Sequence, residues 1–462
     1  MGKIISIDPI TRLEGHGSIR LVYDDEGSFQ DAYLQVPDFK GFEKFCEGRA
    51  VEELPALTQK ICGVCPTAHH IAGIKALDDL FGVVVPPAAR AIRELMHNAF
   101  IFEDHLLHFF YLGGPDLFLG PGTPAKERNI FGVINSLGAD VGAKILDIRK
   151  QVRQLHSTIS GSVLYPVCGL PGGVSKTISK EEQTQFQVIS QNALAFARWT
   201  VGLFHDRVLE DSHYKALLAR PSMKSETYYM GLVDAEGRVN FYEGTLRVIT
   251  PKGEPYARFT AADYLSHLAE RVVPHSYMKQ LYLKQVGWRG VADGPESGIY
   301  RVGPLARLNV SSGFTTPLAQ AEYERIGDAL GGWPVHATFA YHWARLVEVL
   351  YAAENMVRLS AAKELTDPVV RNLPEGIRRS GVGVCEAPRG TLFHHYEADG
   401  RGVARSVNLL VATQNNAAGI QLSISKAARG ILKHQAQIDD AVLNILEMVF
   451  RAYDPCMACA TH

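Results

Sequence analysis

Residues 336–365 read HATFAYHWARLVEVLYAAENMVRLSAAKEL, and apolar side chains recur in this stretch every three or four positions. The pattern predicts a long helix that is apolar on nearly every side, and such a helix must be surrounded by other elements to be shielded from water. Stretches at 88–114, 132–156 and 181–209 show the same periodicity. The sequence therefore predicts a mainly α protein whose core is a bundle of long helices.

Shorter segments with strand-like alternation flank these helices. Residues 18–36, SIRLVYDDEGSFQDAYLQV, alternate apolar and polar side chains around a DDEG turn, which predicts a β-hairpin within about residues 1–40. Similar turns, DAEG and ADGRG, predict peripheral β insertions at about 226–250 and 382–413. Because no tandem repeat or low-complexity linker interrupts the chain, we predict a single domain over residues 1–462.

Composition excludes several classes of function. Hydrophobic residues make up 46% of the chain and charged residues 21%, as in an ordinary globular protein. The formal net charge is −2, so the chain lacks the excess of basic residues that is typical of a nucleic-acid-binding protein. The N-terminus has no apolar signal region, and the most apolar stretches are too short or too interrupted to span a bilayer. We therefore expect no nucleic-acid partner and no membrane span, and a location in the cytoplasm or wherever a partner carries the chain.

The seven cysteines do not form the even set of a small disulfide-rich domain. Four of them form two CxxC pairs, in KICGVCPTAHH (60–70) and DPCMACATH (454–462), and thiolates three residues apart can hold one metal between them. The spacing alone is compatible with a catalytic metal, a structural zinc ion or an iron–sulfur cluster. We expect the other cysteines, Cys46, Cys168 and Cys385, to be inert and buried.

Two features favour a catalytic metal over a structural one. Zinc ribbons place their pairs about 15–20 residues apart, whereas these pairs lie at opposite ends of the chain. In addition, His69, Asp454 and His462 stand beside the pairs, and a purely structural site does not require such polar groups.

The chain resembles the large, catalytic subunit of the [NiFe]-hydrogenases over essentially its whole length. The motifs that carry the resemblance are IDPITRLEGHG (7–17), GFEKFCEGR (41–49), KICGVCPTAHH (60–70), YRVGPLARLNV (300–310), GVGVCEAPRGTLFHHY (381–396) and DPCMACATH (454–462). They occur in the family's order and are most similar to the soluble cytoplasmic branch, of the NAD-reducing bidirectional or the methyl-viologen-reducing, F420-non-reducing type. The resemblance implies the [NiFe]-hydrogenase large-subunit fold and hydrogenase activity.

The resemblance also implies a Ni–Fe centre held by the four paired cysteines. Cys62 and Cys456 would bind nickel terminally, while Cys65 and Cys459 would bridge nickel to an iron that carries carbonyl and cyanide ligands. H₂ would be split heterolytically, or protons reduced, with the proton moving first to the Cys456 thiolate and then to Glu14.

Further residues around the centre follow from the same resemblance. Arg389 would be held over the open face of the metals by Asp116 and Asp454, as a fixed positive charge. His69 would donate a hydrogen bond to a bridging sulfur. The residues that would surround the diatomic ligands of the iron are Pro388, Ala412 and Thr413.

A second metal is implied near the end of the sequence. Mg²⁺ or Fe²⁺ would lie between Glu43, His462 and a backbone carbonyl near Leu409, with water completing the octahedron. Family precursors carry an extension that a maturation protease removes after this histidine, with chaperones assisting metal insertion, and the sequence looks like the processed form. Lys60 stands where the family usually has arginine. The lysine retains the positive charge but lacks the bidentate fork of a guanidinium.

The remaining cysteines form no second cluster, so electrons must leave through another chain. The resemblance implies an obligate small subunit with iron–sulfur clusters, followed by diaphorase or heterodisulfide-reductase-type subunits that reduce NAD(P) or another soluble acceptor. Two alternatives remain open. One is a quinone-site subunit related to respiratory complex I, which shares the fold but lacks the four cysteines; the other is a structural Cys₄ zinc protein.

Overall fold

The computed structural model describes residues 3–432 and 438–462, and a few positions of the predicted single domain, 1–2 and 433–437, lie outside this range. Its helices are α1 (Phe42–Cys46), α2 (Leu54–Thr58), α3 (Pro66–Phe81), α4 (Pro87–Leu107), α5 (Gly114–Leu119), α6 (Ile130–Leu137), α7 (Ala139–Ser160), α8 (Lys180–Phe204), α9 (Ser212–Ala219), α10 (Tyr264–His267), α11 (Pro304–Val310), α12 (Pro317–Leu330), α13 (Ala340–Ser360), α14 (Ala412–Asn415), α15 (Ala417–Leu432), α16 (Asp440–Ala452) and α17 (Met457–Ala460). Turns of π-helix, His108–Leu112 and His205–Leu209, continue α4 and α8. None of the helices in this described part is long and apolar enough to cross a membrane.

The long helix α13 forms the centre of the bundle. It packs against α4, α8 and α12, and almost all of its side chains are buried, including the charged Arg345 and Glu348. The stretch at 132–156, predicted as one helix, instead forms α6 and α7, because Gly138 adopts φ 102° between them, a conformation that most residues avoid. The predicted bundle of long helices is otherwise confirmed.

The strands form small sheets around this bundle. They are β1 (Ile4–Ile7), β2 (Ser18–Tyr23), β3 (Phe29–Gln35), β4 (Gly169–Leu170), β5 (Gly173–Val174), β6 (Tyr228–Val233), β7 (Thr245–Ile249), β8 (Pro255–Phe259), β9 (Leu268–Val273), β10 (Ser276–Leu283), β11 (Tyr300–Arg301), β12 (Ser380–Ala387), β13 (Gly390–Ala398) and β14 (Ala404–Leu410). The predicted N-terminal hairpin is β2–β3, which β1 extends to an antiparallel sheet. The β structure extends past the insertion predicted at about 226–250. Strand β8 pairs with β7, and a β9–β10 hairpin follows.

The antiparallel sheet β12–β13–β14 carries the part of the fold that positions the site. Helix α3 lies directly on β12, and glycines make this close approach possible. A Cβ atom at Gly383 would lie 2.1 Å from the carbonyl oxygen of Ala72, and one at Gly381 would lie 2.4 Å from that of Ala76. This contact brings the start of α3 close to the β12–β13 turn.

Candidate metal centre

The two CxxC pairs meet in the interior of the molecule. All four sulfur atoms lie within 4.8 Å of one another. Cys62 Sγ is 3.3 Å from Cys456 Sγ, Cys65 Sγ is 3.2 Å from Cys459 Sγ, and Cys456 Sγ is 2.7 Å from Cys459 Sγ. None of these cysteines is in a disulfide, and all are buried. The structure thus brings two cysteine pairs that are far apart in the sequence together as one set of four thiols.

Local backbone geometry aims the first pair at this point. Cys62 is extended after a short 3₁₀ turn, and its sulfur accepts hydrogen bonds from the backbone N–H groups of Val64 and Cys65, both at 3.2 Å. Cys65 is the N-cap of α3, where Pro66 supplies a suitable first helical residue. Burial opposes ionisation of Cys62, but hydrogen bonds among the cysteines and the charge of Arg389 lower its pKa well below the ordinary value.

Glu14 reaches the second pair from the N-terminal segment. Its backbone carbonyl accepts a hydrogen bond from Met457 N–H at 2.9 Å, so the two segments run side by side. Its Oε2 accepts from the Cys456 thiol at 2.9 Å and from Ala458 N–H at 3.1 Å. Burial raises the pKa of Glu14, which makes its carboxylate a better proton acceptor. The predicted pairing of Glu14 with Cys456 is present as a direct contact.

Arg389 occupies the β12–β13 turn and is buried beside the thiols. Its Nη1 donates to Asp104 Oδ2 at 3.2 Å, and its Nη2 lies 3.1 Å from both Asp104 Oδ1 and Asp454 Oδ1. Burial raises the pKa of both carboxyl groups, and the arginine opposes this effect. Among the described residues, neither Arg389 Nε nor Asp454 Oδ2 has a hydrogen-bond partner.

The prediction that Asp116 holds Arg389 is wrong. Asp116 lies after the π-helical turn and instead receives Arg451 Nε at 2.6 Å and Arg12 Nη2 at 2.5 Å. Asp104, one turn before the end of α4, takes the predicted role because that helix faces the β12–β13 turn. The sequence does contain a signal for Asp104: it lies in the apolar run FIFEDHLLHFF (100–110), and an acidic side chain on a buried helix face requires a charged or hydrogen-bonding partner.

The other predicted neighbours of the iron are close to the second cysteine pair or to Arg389. Thr413 Oγ1 accepts a hydrogen bond from Cys456 N–H at 3.0 Å. Ala412 and Thr413 are buried at the start of α14, and Pro388 is buried immediately before Arg389.

His69 lies one helical turn after Cys65 and belongs to a buried chain of polar groups. Its Nδ1 is 3.1 Å from His394 Nε2, and His394 Nδ1 is 2.7 Å from the Tyr396 hydroxyl. Burial lowers the pKa of His69 to about 4, so the ring is neutral at physiological pH. In the part of the chain that the structure describes, its Nε2 has no hydrogen-bond partner.

Glu43 and His462 also come together at the end of the chain. His462 Nε2 is 3.6 Å from Glu43 Oε1, while His462 Nδ1 donates to the Cys459 carbonyl at 2.8 Å. The contact at Leu409 is made by its backbone N–H, which donates to Glu43 Oε1 at 2.8 Å. The hydrogen bond at Nδ1 leaves Nε2 as the nitrogen that can bind a cation.

The residues present fit a nickel-containing centre. Thiolate sulfur is a soft ligand that suits nickel and iron, and four such donors converge here. Buried polar atoms of His69, Arg389 and Asp454, residues that lie beside the cysteines, have no hydrogen-bond partner among the described residues, as expected where a further group is to be bound. A structural zinc site would leave these groups without a role.

Comparisons with known proteins agree with this geometry. The family described as nickel-dependent hydrogenase matches residues 40–118 and 295–462, and the HoxL-like family matches residues 4–39. An iron–sulfur subunit of the F420-non-reducing hydrogenase of Archaeoglobus profundus is 41% identical over 460 residues, covering 100% of this chain and 94% of the relative. The beta subunit of the NAD-reducing hydrogenase HoxS of Cupriavidus necator is 36% identical over 473 residues, covering 100% of this chain and 95% of the relative.

The fold has a close counterpart among solved structures. The crystal structure of an NAD⁺-reducing [NiFe]-hydrogenase in the H₂-reduced state superposes with a TM-score of 0.92 at 35% identity, covering 100% of this chain and 99% of that one. These matches favour a hydrogenase over the quinone-site and structural-zinc alternatives. The chain therefore belongs to the nickel-dependent hydrogenase family, as the large, catalytic subunit of a hydrogenase.

Proposed function

We propose that the four cysteines hold a Ni–Fe centre at which H₂ is split heterolytically or protons are reduced. Cys62 and Cys456 would bind nickel, and Cys65 and Cys459 would bridge it to an iron with carbonyl and cyanide ligands. When bound, the metals supply the binding of H₂ and the acceptance of its electrons. The observation that carries the proposal is the 2.9 Å contact between Glu14 Oε2 and Cys456 Sγ, within a buried set of four thiols.

This contact supplies a route for the proton. The Cys456 sulfur would take the proton released from H₂ and pass it to Glu14 Oε2, which is already within hydrogen-bond distance. Burial raises the pKa of Glu14, which makes its carboxylate a better acceptor for this proton. Ala458 N–H holds the carboxylate in place during the transfer.

Arg389 would act as the fixed positive charge of the site. A guanidinium stays protonated at any physiological pH, and in a buried site its field is screened less than in water. Asp104 and Asp454 orient it through Nη1 and Nη2, so its Nε remains available for a group at the centre. His69 would similarly offer Nε2–H to a bridging sulfur, while Pro388, Ala412 and Thr413 would surround the diatomic ligands.

We also propose a divalent cation, Mg²⁺ or Fe²⁺, between Glu43, His462 and a backbone carbonyl near Leu409, with water completing the octahedron. One carboxylate oxygen and one imidazole nitrogen, 3.6 Å apart, support this proposal. The cation would link α1 to the terminal residue and hold the last turn of the chain against the centre. Glu43→Gln should lower the content of this second metal, as measured by elemental analysis, while nickel content is measured in parallel.

Electrons would leave through a partner protein. The described residues contain a single cysteine cluster, since Cys46, Cys168 and Cys385 lie apart from it and burial raises their thiol pKa values to about 11, 11 and 12. The relatives are named as subunits of larger hydrogenases. We propose a small subunit with iron–sulfur clusters and, beyond it, diaphorase or heterodisulfide-reductase-type subunits in the cytoplasm. H₂-dependent reduction of NAD⁺ by the purified complex would indicate diaphorase subunits, and its absence would favour heterodisulfide-reductase-type subunits.

The metal centre is tested by replacing cysteines in the natively matured protein. Cys65→Ser and Cys459→Ser should each abolish nickel binding and H₂-dependent activity while the far-ultraviolet circular dichroism of the helices is retained. Cys168→Ser is the matched control, because this cysteine is buried, lies outside the group of four thiols and donates to Met96 Sδ at 3.7 Å, so this variant should retain nickel. Bound zinc in place of nickel in the unmodified protein, or loss of the fold before loss of activity, would refute the proposal.

A further inference from the structure

The turn that carries Arg389 is fixed by hydrogen bonds from side chains of other elements to its backbone carbonyls. Four consecutive carbonyl oxygens, from the end of β12 through this turn, each accept a hydrogen bond from a buried side chain. The pairs are Glu386 O with His97 Nε2 at 2.9 Å, Ala387 O with Arg307 Nη1 at 3.0 Å, Pro388 O with Arg307 Nη2 at 3.2 Å, and Arg389 O with Asn416 Nδ2 at 3.1 Å.

The donors come from separate parts of the helical core. His97 lies on α4, Arg307 on α11, and Asn416 in the junction between α14 and α15. Hairpin turns usually face water, which satisfies their carbonyl groups. Here the turn is buried, so protein side chains replace the water and hold the main chain from three directions.

Arg307 is itself fully fixed. Its guanidinium has five N–H donors, and each has an acceptor. Glu348 accepts from Nε at 2.5 Å and from Nη2 at 2.6 Å, Glu386 accepts from Nη1 at 2.6 Å, and the carbonyls of Ala387 and Pro388 accept the other two. The side chains of Arg307, Glu348 and Glu386 are all fully buried.

Asn416 binds the same turn to its neighbouring segment. Its Nδ2 donates to Arg389 O, while its Oδ1 accepts from Val302 N–H at 2.9 Å. The approach is close, because a Cβ atom at Gly303 would lie 2.8 Å from Arg389 O. The carbonyl of Arg389 is therefore fixed independently of its side chain.

We propose that Arg307 and Asn416 are positioning residues, which fix the Pro388–Arg389 turn so that the Arg389 guanidinium keeps its place beside the four thiols. They would govern turnover without touching substrate or metal. This inference rests on the proposed role of Arg389 at a Ni–Fe centre.

The side-chain contacts of Arg389 alone do not fix its position. Both carboxylates bind its terminal nitrogens, and Nε has no partner among the described residues, so a shift of the turn would carry the guanidinium with it. A displacement of about 1 Å at a reacting centre costs roughly 100-fold in rate. Loosening the turn should therefore lower turnover even if all metal ligands remain.

The test uses Arg307→Lys and Asn416→Ala in the natively matured hydrogenase complex. Lysine keeps the charge but has three donors for five acceptors. Arg93→Lys is the matched control: Arg93 is equally buried and binds one carboxylate, that of Asp78, and two backbone carbonyls, but it lies away from the turn. Nickel content, infrared bands of metal-bound carbonyl and cyanide, thermal stability and turnover are measured for each.

We expect both turn variants to retain nickel, to shift the cyanide bands, and to lose turnover by about 10- to 100-fold. The control should lose thermal stability without a band shift or a comparable loss of turnover. Unshifted bands and unimpaired turnover in Arg307→Lys and Asn416→Ala would overturn the inference, and Asn416→Ala alone decides if Arg307→Lys does not fold. If the unmodified protein itself lacks nickel and these bands, the proposed function fails and the inference fails with it.

Discussion

Replacing Glu14 tests the proton route directly, because the contact with Cys456 depends on one carboxylate oxygen. Glu14→Gln preserves the length of the side chain but cannot accept the proton. Glu14→Asp preserves the acid but shortens the side chain by one C–C bond of about 1.5 Å. The contact with Cys456 Sγ would then lengthen from 2.9 Å to about 4.4 Å, beyond hydrogen-bond distance.

The size of the loss follows from the role of a proton acceptor. General acid–base catalysis contributes roughly 10²- to 10⁴-fold, so Glu14→Gln should lower turnover by that factor, or about 3–5 kcal/mol in the barrier. Glu14→Asp should lose less, since a water molecule can bridge a gap of about 4.4 Å. Turnover is measured as H₂ uptake with an artificial electron acceptor, so that partner steps do not limit the rate.

The controls separate proton transfer from damage to the centre. Nickel content and the infrared bands of the metal ligands should be unchanged in both Glu14 variants. Glu52→Gln, at an exposed position, should behave as the unmodified protein. If Glu14→Gln retains full turnover with full nickel, the proton leaves by another route and the reasoning is refuted.

Three further predictions concern turnover and stability. Asp104→Asn should lower turnover about 10- to 100-fold with nickel retained. Asp116→Asn should chiefly lower the melting temperature, because breaking a buried ion pair costs about 3–5 kcal/mol. Equal losses of turnover in the two variants would contradict the assignment of Asp104, and not Asp116, as the partner of Arg389. Gly383→Ala should destabilise the protein by about 1–3 kcal/mol in chemical denaturation, while Gly376→Ala, where a Cβ meets open space, should not. Burial lowers the pKa of His70 to about 3, so the unfolded state binds more protons than the folded state between about pH 6.5 and 3, and the free energy of unfolding falls as the pH falls. His70→Gln should therefore remove about 2 kcal/mol of the stability that is lost between pH 8 and 5, as measured by denaturant titrations. An unchanged dependence of stability on pH in this variant would contradict the prediction.

Much of the fold and of the centre could be predicted from local patterns. Helical periodicity is strong where a helix is surrounded by other helices, as in α13. The four cysteines could be identified because few residue types bind soft metals, and their joint burial follows from that chemistry. The contacts of Glu14 with Cys456 and of Glu43 with His462 followed from the resemblance, since the residues keep the order and spacing of family motifs.

The parts that could not be predicted depend on how distant segments meet. Asp104 and Asp116 both follow apolar stretches, and only the π-helical turn between them decides which carboxylate faces Arg389. Arg307 gives no signal of its role in the sequence, because its five acceptors come from separate segments of the chain. The break at Gly138 could not be predicted either, since a glycine inside a helical pattern can be tolerated or can end the helix.

Infrared spectroscopy of the natively matured protein is the sharpest test of the Ni–Fe centre. Few protein groups absorb in the region of metal-bound carbonyl and cyanide, so bands there report the iron ligands of the proposed centre. We expect these bands together with bound nickel, and we expect Cys62→Ser to abolish both. A protein that carries zinc at the four thiols and shows no such bands would contradict the assignment.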